Sequence, residues 1–166
     1  MTKVGGIIRG GMLALLLVLA ATGVSFSAAG GSQLVTVAAA SNIDITVAAV
    51  ASIGSTAPPD CGTTSTVVNV KSNKVYNLQI RAEPVLYANG KAKNGLVEMT
   101  NAFQYGTAGV GPWTNTTAAY ADIFGSSQPK TTGLGVDHTI WYRQCVDYAD
   151  DPGTYTIVLE YLGVQP

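Results

Sequence analysis

The side chains in this sequence that could do chemistry are few and scattered. His138 is the only histidine. It sits between Asp137 and Thr139 in a stretch that alternates as a strand does. A hydrolytic triad needs a nucleophile, a base and a group that orients the base, and a lone strand histidine supplies at best one of these. No H-E-x-x-H, G-x-S-x-G, P-loop or dinucleotide pattern occurs, so no catalytic and no cofactor-binding residue is expected. Asp147, Asp150 and Asp151 crowd one turn. Oxygen-rich turns can hold Ca²⁺, but turn aspartates more commonly bond their own backbone, and no metal site is expected. Trp113 lies in a glycine-rich stretch where an exposed indole could stack on a sugar ring; aromatic side chains of β-proteins more often fill cores and cross-strand pairs. Two residues on, Asn115-Thr116-Thr117 matches the N-glycosylation acceptor pattern, which matters only if the chain is exported.

Export is what the first residues predict. Lys3 and Arg9 precede an apolar run from Met12 to Val24, and Ser25, Ser27, Ala28 and Ala29 follow. A positive start, an apolar run of about a dozen residues and a small-residue exit are the three parts of a secretory signal peptide. Residues 1–27 are therefore expected to be removed, with cleavage after Ser27 or after Ala29. The run is shorter than the roughly 20 residues that span a bilayer, so no membrane span is expected once the leader is gone. In an oxidising compartment the two cysteines, Cys61 and Cys145, read as a disulfide. It would close a loop of about 85 residues, for which the chain-entropy account gives about 4–5 kcal/mol. Bridged cysteines are no longer available as metal ligands.

Losing Lys3 and Arg9 with the leader leaves seven basic against ten acidic side chains, a net charge near −3. With no basic cluster, nucleic-acid binding has no electrostatic footing. Charged residues make up 11% of the chain, against about 25% in ordinary globular domains, so Thr, Ser, Asn and Gly must supply the surface. Such an exterior suits β-sheet packing and close contact between like copies.

Every other element is organised around residues 33–53, Q-L-V-T-V-A-A-A-S-N-I-D-I-T-V-A-A-V-A-S-I, in which Asp44 is the only charge. Val35 and Val37, then Ile43, Ile45, Val47 and Ala49, recur at period two, with Asp44, Thr46 and Ala48 opposite, which predicts a half-buried strand. Such a segment must be covered. It can fold back as the first strand of its own domain, or fill a groove in another copy.

Residues 54–166 predict the body. Residues 65–71 and 75–81 read as strands joined by a short turn, a hairpin signal. Residues 84–88 read as a proline-opened edge strand, and two Asn-Gly turns follow before a strand over 96–105. Residues 106–117 read as a long loop, and 119–124 as a short strand or one helical turn. The longest strand is expected over 136–148, with Val136, Ile140, Tyr142 and Val146 on one face and Thr139, Trp141 and Cys145 on the other. After a turn at Pro152, the closing strand places Tyr155, Ile157, Leu159 and Tyr161 together. The expected fold is all-β: an antiparallel β-sandwich, Ig-like or jelly-roll-like, of about 7–9 strands with an exchangeable strand at its N-terminal end.

A leader, an apolar Val/Ala/Ile segment behind it, and a β-sandwich ending in P-G-T-Y-T-I-V-L-E-Y together resemble secreted self-assembling pilins. The groups in question are the archaeal bundling pili and threads and the TasA-type biofilm matrix fibres. The closing strand also resembles the last strand of chaperone–usher pilins and spore-coat U domains. The resemblance implies a non-enzymatic extracellular filament subunit whose Val35, Val37, Ile43, Ile45, Val47 and Ala49 complete the sheet of the next copy, its partner being further copies of itself. The other expectation is a monomeric cell-surface adhesin or ligand-binding domain with the same strand paired within its own chain.

Overall fold

A computed structural model of the chain describes residues 36–48 and 51–166. The leader, Val35 and Ala49 lie outside the described residues. Two units are distinguished, Met1–Ala38 and Ala39–Pro166, and every described strand belongs to the second.

The frame of that unit is one antiparallel pair. β2 (Cys61–Ser72) and β9 (Val136–Cys145) run side by side from Cys61 opposite Cys145 to Val70 opposite Val136. β2 is rich in the β-branched Thr and Val that suit a pleated surface, and its exposure alternates along its length. Val68 and Val70 are wholly buried, whereas Val67 is half exposed. Cys61 and Cys145 form a disulfide across this pair, as the sequence predicts.

Around the frame stand the other strands: β1 (Ile43–Val47), β3 (Asn77–Ala82), β4 (Lys93–Asn94), β5 (Val97–Glu98), β6 (Gln104–Gly106), β7 (Thr114–Asn115), β8 (Ala121–Asp122) and β10 (Leu159–Val164). One sheet has the order β1-β2-β9-β6-β7, a second has β10-β3-β8, and β4 and β5 form a small hairpin. All pairs are antiparallel, and the described residues contain no helix. Val68, Val70, Tyr105, Ile140 and Tyr142 of the first sheet meet Leu78 and Ile80 of the second, with Tyr76, Phe103 and Ile123 between them. The fold is the expected all-β sandwich.

Four local expectations are corrected. Residues 65–81 are not a hairpin, since β2 and β3 lie in different sheets. A tight hairpin requires positive φ in its turn, and among the described residues only glycines adopt it. None of Ser72, Asn73 and Lys74 has positive φ, and the chain crosses to the opposite sheet; the Ser72 hydroxyl donates to the Lys74 carbonyl at 2.8 Å. Residues 84–88 form a turn because the Glu83 carboxylate accepts the amides of Val85 (3.0 Å) and Leu86 (2.7 Å). The expected strand over 96–105 is split into β5 and β6, where Asp150 draws in the Thr100 amide. β2, at 12 residues, exceeds β9, at 10, because Lys71 and Ser72 run on past the end of β9 and pair with Asp44 and Ile43 of β1.

Replacing both cysteines, Cys61→Ser with Cys145→Ser, removes the closure at one end of the frame. Stability should fall by about 2–5 kcal/mol, read from the denaturant midpoint; an unchanged midpoint would show that the pairing needs no clasp.

Candidate functional site

The structure places the expected assembly strand in a seat of its own domain. β1 pairs with the outer flank of β2, Ile43 opposite Ser72, Ile45 opposite Val70 and Val47 opposite Val68. Ile43, Ile45 and Val47 are half-buried and packed against the core, while Asp44 and Thr46 face out. Of the other expected residues, Val37 is 83% exposed and lies outside the strand.

The far side of β1 faces β10 without strand pairing, so it touches the second sheet through side chains alone. Gly163 makes that approach possible. A Cβ there would collide with Ile43 Cδ1 and stand 3.1 Å from Ile45 Cδ1. A glycine interrupting a regular strand pattern is a recognised sign of close approach, so this feature of the seat was readable from sequence.

The entrance to β1 is fastened by amides. Gln165 Nε2 donates to the Asn42 carbonyl at 2.9 Å and to Ser72 Oγ at 2.7 Å. The Asn42 amide donates to Asn73 Oδ1 at 2.9 Å, and Asn73 Nδ2 donates to the Ala40 carbonyl at 2.7 Å. Sequence alone gave no sign of Gln165, because an amide side chain near a chain end has no pattern. Downstream, thirteen residues separate Val47 from Cys61, far more than the roughly two to five of a β-hairpin loop. Within that connection, Ile53 and Thr56 pack over Gly62.

The other candidates occupy structural positions. His138 Nε2 lies 2.7 Å from the buried Tyr76 hydroxyl, and its ring packs on Phe124 at a centroid distance of 4.8 Å. The neighbouring Asp137 carboxylate instead accepts Asn69 Nδ2 at 2.7 Å. Asp150 spends its carboxylate on the Thr100 amide and hydroxyl and on the Asp147 amide, and these bonds hold its pKa below the usual carboxylate value against the opposing pull of burial. Asp147 accepts the Ala149 amide at 3.0 Å, so this turn bonds its own backbone. Among the described residues no group of three or more His, Cys, Asp or Glu could hold a metal ion. No described helix is long and apolar enough to cross a membrane.

Trp113 is engaged within its own loop, with Gly111 against its ring and the Arg143 guanidinium 5.7 Å from its centre. Asn115 is exposed, and its Oδ1 accepts Gln104 Nε2 at 2.8 Å. Beside it lies a shallow hollow of about 260 Å³ lined by Asn101, Ala102, Gln104, Asn115, Arg143 and Cys145. No family model and no curated protein matches the chain.

Burial pulls the His138 pKa below its ordinary value of about 6.5. The unfolded chain therefore binds this proton first as the pH falls. The stability that the neutral ring contributes is present above about pH 6.5 and lost as the pH drops through the lowered folded value. Between pH 7 and 5 the melting temperature should decline, and His138→Gln should flatten that decline. An equal slope in the variant would assign the effect elsewhere.

Proposed function

We propose that this chain is a non-enzymatic structural subunit of an extracellular filament, in which β1 of one copy occupies the β2–β10 seat of the next. The observation that carries this reading is the build of the seat. β1 adds its backbone to one strand only and its side chains to a groove between two sheets, and a long connection joins it to the frame. Exchange of an identical element between copies reproduces the contacts of β1 in its seat at low cost. A strand supplied by a neighbour likewise gains a row of backbone bonds and side-chain pockets. Head-to-tail exchange that does not close gives an open fibre. The leader pattern and the disulfide support an exported product.

Magnitudes decide when exchange wins. Full burial of an Ile or Val side chain contributes about 1.5–3 kcal/mol, so the half-buried Ile43, Ile45 and Val47 contribute about half of that each. A strand held this modestly can leave its seat. In its own chain it competes at an effective concentration on the order of millimolar, as flexible tethers give. Assembly between copies therefore requires dense subunits, or additional pairing by residues 33–42 once the strand is extended.

A second reading, a monomeric exported surface domain, is favoured by one specific observation: β1 pairs with β2 of its own chain, and Gln165 fastens it there.

Sizing of the exported protein separates the two. Filaments resistant to heat and detergent are expected, and a chain lacking residues 33–50 should yield only soluble or unstable monomer. Normal filaments from the shortened chain, or a compact monomer from the intact one at high concentration, would refute exchange through β1.

A further inference from the structure

The sheet that seats β1 has a second edge. Its order ends at β7, Thr114–Asn115, whose outer side pairs with no strand among the described residues. Unpaired sheet edges invite pairing with other chains, and proteins usually blunt them with charge, proline or bulk. Residues 107–120, T-A-G-V-G-P-W-T-N-T-T-A-A-Y, carry no Lys, Arg, Asp or Glu. Pro112 guards one side of β7, and nothing charged guards the strand itself.

We propose that Asn115 carries an N-linked glycan that blunts this edge. Both strand residues are exposed, and so is Thr117, the third residue of the acceptor pattern. Gln104 holds Asn115 Oδ1 at 2.8 Å and leaves Nδ2 with no partner among the described residues. The neighbouring hollow of about 260 Å³ is lined by Asn101, Gln104 and Arg143, whose bonding capacity beyond the bonds of Asn101 to the Cys145 carbonyl, Gln104 to Asn115 and Arg143 to Cys61 Sγ is open to the hydroxyls of a first sugar ring. It is smaller than the roughly 300–1,000 Å³ clefts that enclose drug-sized ligands, so it would seat one ring while the remainder stays in water. The donor is a lipid-diphosphate-linked saccharide of the exporting cell. Asn115 Nδ2 forms a bond to the anomeric carbon as the anomeric C–O bond breaks; the lipid diphosphate leaves with that electron pair, and Nδ2 loses one proton. No oxidation or reduction is involved.

The proposal rests on the export half of the reading above and not on polymerisation. A glycosylated monomer would overturn only the filament, and a bare exported filament only the glycan.

The test is the intact mass of the protein exported by its own cells. A mass above that of the leader-cleaved chain is expected, with the excess on the peptide containing Asn115. Asn115→Gln and Thr117→Ala should each return the bare mass, whereas Thr117→Ser should keep the excess. A bare mass in the exported wild-type chain overturns the proposal. For the guarding role, Asn115→Gln with an unchanged melting temperature should scatter light severalfold more than wild type at equal concentration. Equal scattering would remove that role.

Discussion

The flank of β2 facing away from β9 carries Val68 and Val70 toward the core, and something must cover it. Both valines are wholly buried between the two sheets, with β1 paired alongside them. Without that strand, β2 would present an open row of backbone amides and carbonyls beside apolar side chains, the feature that natural sheets take most trouble to hide. The rest of the unit is arranged about this need. β10 stands across the gap, Gly163 leaves room for Ile43, and Gln165 reaches over to the Asn42 carbonyl. The requirement is for an apolar strand of this register, and in the structure the chain's own β1 meets it.

The frame and the strand differ in how firmly they are held. β2 and β9 share a ten-residue register and a disulfide, and their inner side chains interlock with the second sheet. β1 has five residues, pairing on one side, and half-buried side chains. Local opening begins where buried contacts are fewest. β1 is thus held more lightly than the frame, a difference that strand exchange would require.

Much of this was legible in the sequence. Period-two alternation marked Ile43, Ile45 and Val47, the Ile140 and Tyr142 face of β9, and the half-buried row Tyr155, Ile157, Leu159 and Tyr161, because a strand writes its two faces directly into its residues. The cysteine pair was legible from an even count behind a leader pattern. Connectivity was harder. Residues 72–74 looked like a hairpin turn because short polar turns look alike in one dimension; Asn73 suits a tight turn as well as a crossover, and the partners that Ser72 and Asn73 take, Thr131 and the Ala40 carbonyl, lie far along the chain. The capping carboxylate of Glu83 and the reach of Asp150 to Thr100 depend on contacts two and fifty residues away, and local pattern records only the first. At the seat, Gly163 left a trace in the sequence and Gln165 left none.

Where β1 resides can be fixed covalently. Asp44 and Lys71 stand opposite each other on the outward face of β1 and β2. Asp44→Cys with Lys71→Cys in one chain, oxidised after export and resolved in denaturing gels without reductant, would lock the strand to whichever β2 it occupies. Exchange between copies predicts a ladder of covalent multimers. A single band of monomer, formed at concentrations that yield filaments, would contradict it.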